Sequence, residues 1–232
     1  MSAISQAAWQ QRLNHGVAAK DVGRCSEDQA FFELPCGHLA YKTPKTISDK
    51  EKQEPGVPDA GLRCRQCDFH AGRELANPPS VYEIEAWALV DFCFDGPILL
   101  ETSVLGHNWG LTDVWLPYWD VGALLDLIIM IDGEGHFNKQ TFSTSPHQQQ
   151  DIDRRFNAKC WEQEHKLLRL HFGDRPSWMH LLTLALRMCE MEPLHKFQLF
   201  SQSYEGRGWE ANRHAPMNFQ CHRTAGAYFK PS

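Results

Sequence analysis

The sequence lacks any apolar run approaching the roughly 20 residues that a bilayer-spanning helix requires, so a soluble chain is expected. It also lacks a charged start followed by an apolar stretch, which argues against a secretory leader and for an intracellular protein, with cytoplasm, nucleus and organelle all left open. Acids are missing from the first 20 residues, but only Arg12 and Lys20 are basic there, a thin basis for an organellar transit segment. Excess positive charge is absent as well. The net charge of −6 argues against broad coating of nucleic acid and leaves room only for a local basic groove. A chain of 232 residues holds one sizeable core with space for a small appendage.

Eight cysteines in a chain read as non-secreted suggest metal binding or buried thiols before disulfides. Cys36 and His38 form one close pair, and Cys64 and Cys67 form a Cys-x-x-Cys knuckle. Two such pairs supply the four borderline-soft ligands that tetrahedral Zn²⁺ takes. Cys25 and His70 are reserve ligands. Between the pairs, residues 42–59 are charged, interrupted by Pro44, Pro55 and Pro58, and read as a projecting loop. So short a segment is not expected to build a core without the metal.

What the chain does have is one long apolar run with a polar end. Leu127 to Ile131 is unbroken and rich in β-branched residues, the pattern of a strand buried on both faces. It stops at Asp132-Gly-Glu134-Gly-His136-Phe137, where two carboxylates and an imidazole fall within five residues. Such groups suit the holding of a divalent cation and the movement of a proton; a solvated hairpin turn gives the same letters.

Around this stretch the elements follow in order. A short helix is expected over Ile4–Leu13. Asn77-Pro78-Pro79 marks a boundary, and Ser80 with Glu83 forms a capping box opening a helix whose apolar face is Ile84, Trp87, Ala88 and Phe92. Glu83 serves equally as cap partner or site residue, and Glu85 equally as solvated side chain or site residue. Strands follow over 96–104 and over 111–116, the second carrying Asp113. After a polar loop to Gln150, a helix over 151–164 places Ile152, Phe156 and Cys160 on one face, with Asp151, Arg154, Arg155 and Lys159 as its charges. A strand over 166–172 and a helix from Ser177 to Met191 complete the order, and from Ser201 periodicity ends. The expected organisation is an extension (1–30), a zinc-ribbon-like segment (31–76), an α/β domain with a mixed sheet and helices on both faces (77–200), and an irregular tail (201–232).

This order, with Asp113, Asp132-Gly-Glu134-Gly-His136-Phe137 and the later Leu167-Leu-Arg-Leu, resembles the core of the restriction-endonuclease-like superfamily. The likeness is closer to its very-short-patch-repair and EDxHD branches, whose active sites combine a helical Glu, a strand Asp, a His and a further helical Asp. Carried onto this chain, the resemblance implies Glu83 or Glu85, Asp113, Asp132 with Glu134, His136, and Asp151 in Asp151-x-x-Arg154. It spans roughly residues 80–190. The lysine usual two residues after the second acid is missing, since Gly135 and His136 follow Glu134. The same turn also resembles RAP domains, which share the fold and are associated with RNA.

The chemistry implied is phosphodiester hydrolysis. Asp113 with Asp132 or Glu134 would hold Mg²⁺ or Mn²⁺, and His136 would accept or return the proton. Arg154, Arg155 and Lys159, with Arg63 and Arg65 beside the knuckle, would contact phosphates. The expectation is a zinc-containing, metal-dependent DNA endonuclease of the kind used in repair, recombination or mobile-element processing. Its rivals are a non-catalytic nucleic-acid-binding module on the same fold, with RNA as partner, and a zinc-stabilised scaffold without nucleic acid.

Overall fold

The strand at the centre, β5 (Leu124–Asp132), divides its side chains between two cores. Leu125, Leu127, Ile129 and Ile131 pack into one, and Ile128 and Met130 into the other, as the period of two in an extended chain demands. The computed structural model describes residues 10, 14, 17–23, 26–57, 60–72, 78–105, 111–118, 124–137 and 145–204. The expected helix over 4–13, apart from Gln10, and the tail beyond 204 lie outside them.

In chain order the described elements are β1 (Ala30–Glu33), β2 (Leu39–Lys42), α1 (Pro44–Gln53), α2 (Arg65–His70), α3 (Val81–Cys93), β3 (Leu99–Thr102), β4 (Thr112–Tyr118) and β5. Then come α4 (Pro146–Glu162), β6 (Lys166–His171), α5 (Trp178–Met191) and β7 (Gln198–Phe200). The molecule is thus mixed α/β. Its five-stranded sheet runs β3-β4-β5-β6-β7, antiparallel at the first two pairings and parallel at the last two. Helices α3 and α5 cover one face through Trp87, Val90, Trp178 and Leu182; α4 covers the other through Phe156 and Cys160. No helix among the described residues is long and apolar enough to cross a membrane.

The hairpin β1-β2 is double-sided in the same way. Phe31 stacks on Trp115 of the sheet with centroids 5.8 Å apart and lies 4.7 Å from Tyr41. Its neighbours Ala30 and Phe32 turn away to meet Ile47 of α1 and Leu62. This small third core corrects the expectation that residues 42–59 form a loop. Pro44 stands at the first helical position, where its missing N–H is no loss, and Thr43 caps the helix by accepting from the Thr46 N–H at 3.0 Å. Only one large apolar residue, Ile47, is needed to seat α1, so no periodicity shows. Gly61 explains how closely it sits: a Cβ there would meet Ile47 at 2.7 Å.

Three further expectations shift. Helix α4 starts at Pro146, inside the supposed polar loop, under a capping box between Ser145 and Gln148. Its buried face carries Asp153, Phe156, Asn157 and Cys160, whereas Ile152 is 43% exposed. On α3 the buried residues are Ala86, Trp87 and Val90, and Phe92 is 80% exposed, so the helix is rotated from the face inferred for it. The three residues of β7 are too few to register as a pattern, and the chain stays packed through the buried Tyr204.

Phe31→Ala tests whether the hairpin is seated on the sheet. It should lower unfolding stability by about 3–5 kcal/mol in urea titrations, the usual cost of emptying a buried aromatic site. A loss below about 0.5 kcal/mol, as for exposed positions, would show the packing to be absent.

Candidate functional site

Cys36 and His38 sit in the turn joining β1 to β2, and Cys64 and Cys67 sit at the start of α2. Gly37 between the first pair has φ +86°, a conformation that a side chain would oppose. The three sulfurs lie 3.3, 3.4 and 3.4 Å from His38 Nδ1. Ligands at ~2.3 Å (S) and ~2.0 Å (N) from one zinc ion, at tetrahedral angles, stand about 3.5 Å apart. The four residues therefore form a Cys₃His cluster that could hold a metal such as zinc. Burial, with the neighbouring Cys36 and Cys67 thiols adding to it, pushes the Cys64 thiol up to about 12, which a bound cation would reverse. His70 is exposed and outside the cluster, and Cys25 lies outside the described residues.

A pocket of about 500 Å³ opens where β5 ends, lined by Tyr82, Glu83, Asp113, Gly133, Glu134 and His136 among others. Asp113 comes from β4 and accepts the Ile131 N–H of β5 at 2.5 Å. Burial raises its carboxyl to about 8; the Ile131 N–H opposes the rise, while the charges of Glu83 and Asp132 add to it. Glu83 combines both of its expected roles, since it accepts from the Ser80 N–H at 2.6 Å and also lines the pocket. Glu134 is exposed at the mouth. Among the described residues, no lysine or arginine lines the pocket.

Behind the pocket lies a network that the sequence concealed. Arg169 on β6 is fully buried; its Nε and Nη2 donate to Asp132 at 2.5 and 2.8 Å. Nη2 also lies 3.0 Å from Asp153 of α4, and Nη1 donates to Asn157 at 2.6 Å. The Tyr204 hydroxyl donates to the same Asp132 carboxylate. His136 Nδ1 is 2.8 Å from Asp153 and 3.3 Å from Asp132. Burial would lower the His136 pKa, but those two carboxylates outweigh it and hold the ring above its ordinary value. Burial would likewise raise Asp132, but Arg169 outweighs it and holds that carboxyl low.

These contacts redistribute the expected roles. Asp132 faces Arg169 and Tyr204 rather than the pocket lining; with His136 and Asp153 it forms a second group whose ligand atoms lie within 4.8 Å of one another, and the Arg169 guanidinium contacts both of its carboxylates. Asp151 is turned outward to Arg154 and His147, and Asp153 is the helical acid that meets His136. Glu85 pairs with Arg175. Arg155 Nε donates to the Asp151 carbonyl, Lys159 pairs with Glu162, and Arg63 pairs with Asp68. Of Arg65 only the backbone is described. Asp153 had a readable signal, an acid three residues before Phe156 and seven before Cys160. Arg169 had one too, a cation inside an apolar strand; Tyr204 had none.

Two measurements follow. Elemental analysis should find one zinc per chain, and Cys64→Ser should both lose it and release the hairpin before the sheet; a zinc-free native protein would exclude the centre. Asp113, raised from 3.8 to about 8, holds a proton that the unfolded chain has released. Its stabilising contribution is full below about pH 4 and is lost as pH rises towards 8. Without added Mg²⁺ or Mn²⁺, Asp113→Asn should therefore gain in urea midpoint over wild type between pH 5 and pH 8. A difference independent of pH would contradict this.

Compared with known proteins, no family model matches the chain, and neither a curated protein nor a solved structure matches it.

Proposed function

We propose that the chain is a metal-dependent endonuclease acting on DNA, built on a restriction-endonuclease-like core. The observation that carries this reading is the convergence of Glu83, Asp113, Glu134 and His136 on one pocket, with Asp153 holding the imidazole from behind. Helical Glu, strand Asp, His and helical Asp are the four positions of the EDxHD resemblance, with Asp153 in place of Asp151. The order α3-β3-β4-β5-α4-β6, with β5 and β6 parallel, agrees with the same core.

Asp113 and Glu134 are the groups that would hold Mg²⁺ or Mn²⁺. The donor set fits a hard cation, because a carboxyl raised by burial and acidic neighbours is one that such an ion would draw back to the charged form. When bound, the ion neutralises the phosphate and acidifies a water. The protein's own part is proton handling. Asp153 fixes Nδ1, which directs Nε2 to the pocket that His136 lines, and the raised basicity of the ring suits it to take the proton of the attacking water. The phosphorus–oxygen bond to the leaving strand then breaks, and that oxygen regains a proton from solvent.

The test is cleavage of linear, mismatched and branched DNA with Mg²⁺ or Mn²⁺ and without either. His136→Ala should slow cleavage by roughly 10²–10⁴-fold. Asp113→Asn should abolish metal-dependent cleavage yet keep DNA binding. Wild type that binds DNA or RNA tightly but cuts none of the panel would replace the nuclease with the binding module.

A further inference from the structure

The described lining of the pocket carries three acidic side chains, Glu83, Asp113 and Glu134, and neither a lysine nor an arginine, so a polyanion entering it needs a cation to offset repulsion. Among the described residues, a cation touches the lining from outside. Arg175 lies over the Tyr82 ring, 5.6 Å from its centroid, and Tyr82 is itself a wall of the pocket. The other contacts of that ring fix it in place: a Cβ on Gly133 would meet it at 3.2 Å, and Phe172 packs 5.8 Å away. Gly133 backbone, Tyr82 ring and Arg175 guanidinium therefore form a layered rim.

The chain brings Arg175 there by register. Asp132 is paired with His171 in the parallel β5-β6 ladder, so the turn Phe172–Ser177 leaves the sheet beside the Gly133–His136 turn. That turn is pinned at both ends. Trp178 Nε1 donates to the His171 carbonyl at 3.0 Å, and Asp174 accepts from the N–H and hydroxyl of Ser203 at 2.7 and 2.8 Å. Glu85 lies 2.5 Å from the guanidinium and raises its pKa, yet both side chains are more than two-fifths exposed. An exposed ion pair is weak and screened by salt. A phosphate offers the same guanidinium a bidentate fit and a larger charge.

We propose that Arg175 is the phosphate-binding residue at the mouth of the acidic pocket, held over Tyr82 and covered by Glu85 until a nucleic-acid backbone displaces that carboxylate. The assignment rests on the nuclease reading for its substrate class. Arg175 positions the strand; it is not a proton-transfer group.

The probe is a short fluorescein-labelled DNA duplex, with binding followed by anisotropy across a salt series without added Mg²⁺ or Mn²⁺. Arg175→Gln should weaken binding by roughly tenfold, the lower end for a hydrogen bond to a charged group. The slope of log K against log salt should become shallower by about 0.9, one phosphate contact. Arg175→Lys should fall between the two, because it keeps the charge and loses the fork. Glu85→Gln should bind more tightly than wild type, and that gain should vanish in the Glu85→Gln/Arg175→Gln double variant. Thermal melting identifies any variant that is misfolded; if Arg175→Gln is, Arg175→Lys and Glu85→Gln carry the test.

Wild-type affinity and slope in folded Arg175→Gln would overturn the assignment, as would a Glu85→Gln gain that persists without Arg175. Arg175-dependent binding without cleavage in Mg²⁺ or Mn²⁺ would sink the nuclease reading and leave the phosphate site standing. Wild type that binds no DNA at low salt would overturn both.

Discussion

The guanidinium of Arg169 is the constraint on which the candidate site depends. A cation buried in a sheet is tolerable only when it is fully paired, and leaving one such partner uncompensated costs about 3–5 kcal/mol in other proteins. Arg169 meets this condition by taking Asp132 from β5 and Asp153 with Asn157 from α4, so three elements are tied to one side chain. The same two carboxylates reach His136. The orientation of the imidazole is thus set by an ion network formed for other reasons, and the pocket inherits a fixed wall. Tyr204 closes the far side of this network, which brings the last described residue of the chain into the stability of a turn 68 positions earlier, at His136.

The acidic pocket and the Cys₃His cluster are built from opposite materials. The first collects oxygen ligands at the polar end of a buried strand, where the sheet stops and backbone groups need partners. The second gathers soft ligands on two tight turns. The hairpin that carries the second meets the sheet that carries the first through Phe31, Tyr41 and Trp115. No ligand is shared; the two regions meet through packing.

Sequence patterns were legible wherever one residue type had one role. The apolar run in β5, the capping box at Ser80 and the paired Cys/His spacing each reflect a local rule; the box and the cluster stand as read, and the strand begins three residues before the run. Reading failed where a polar residue served the interior. Asp153 sits on the apolar side of α4; counting only hydrophobic residues gave Ile152 that place, and the family resemblance put the site acid at Asp151. Arg169 was passed over as one letter in an apolar strand. In α1 the prolines suggested a loop because the helix needs a single buried isoleucine, and too few apolar positions remain to reveal a period. The network at Asp132 depends on contacts between residues 37 and 72 positions apart, which no local pattern carries.

The two-sided hairpin has a thermodynamic consequence. Its turn supplies Cys36 and His38, while its outer face rests on Trp115, so the free energy of metal binding and that of sheet packing are drawn from one ordered segment. Linkage then runs both ways. A metal bound at the turn raises the melting point of the sheet, and a well-packed sheet pre-organises the turn and tightens its hold on the metal.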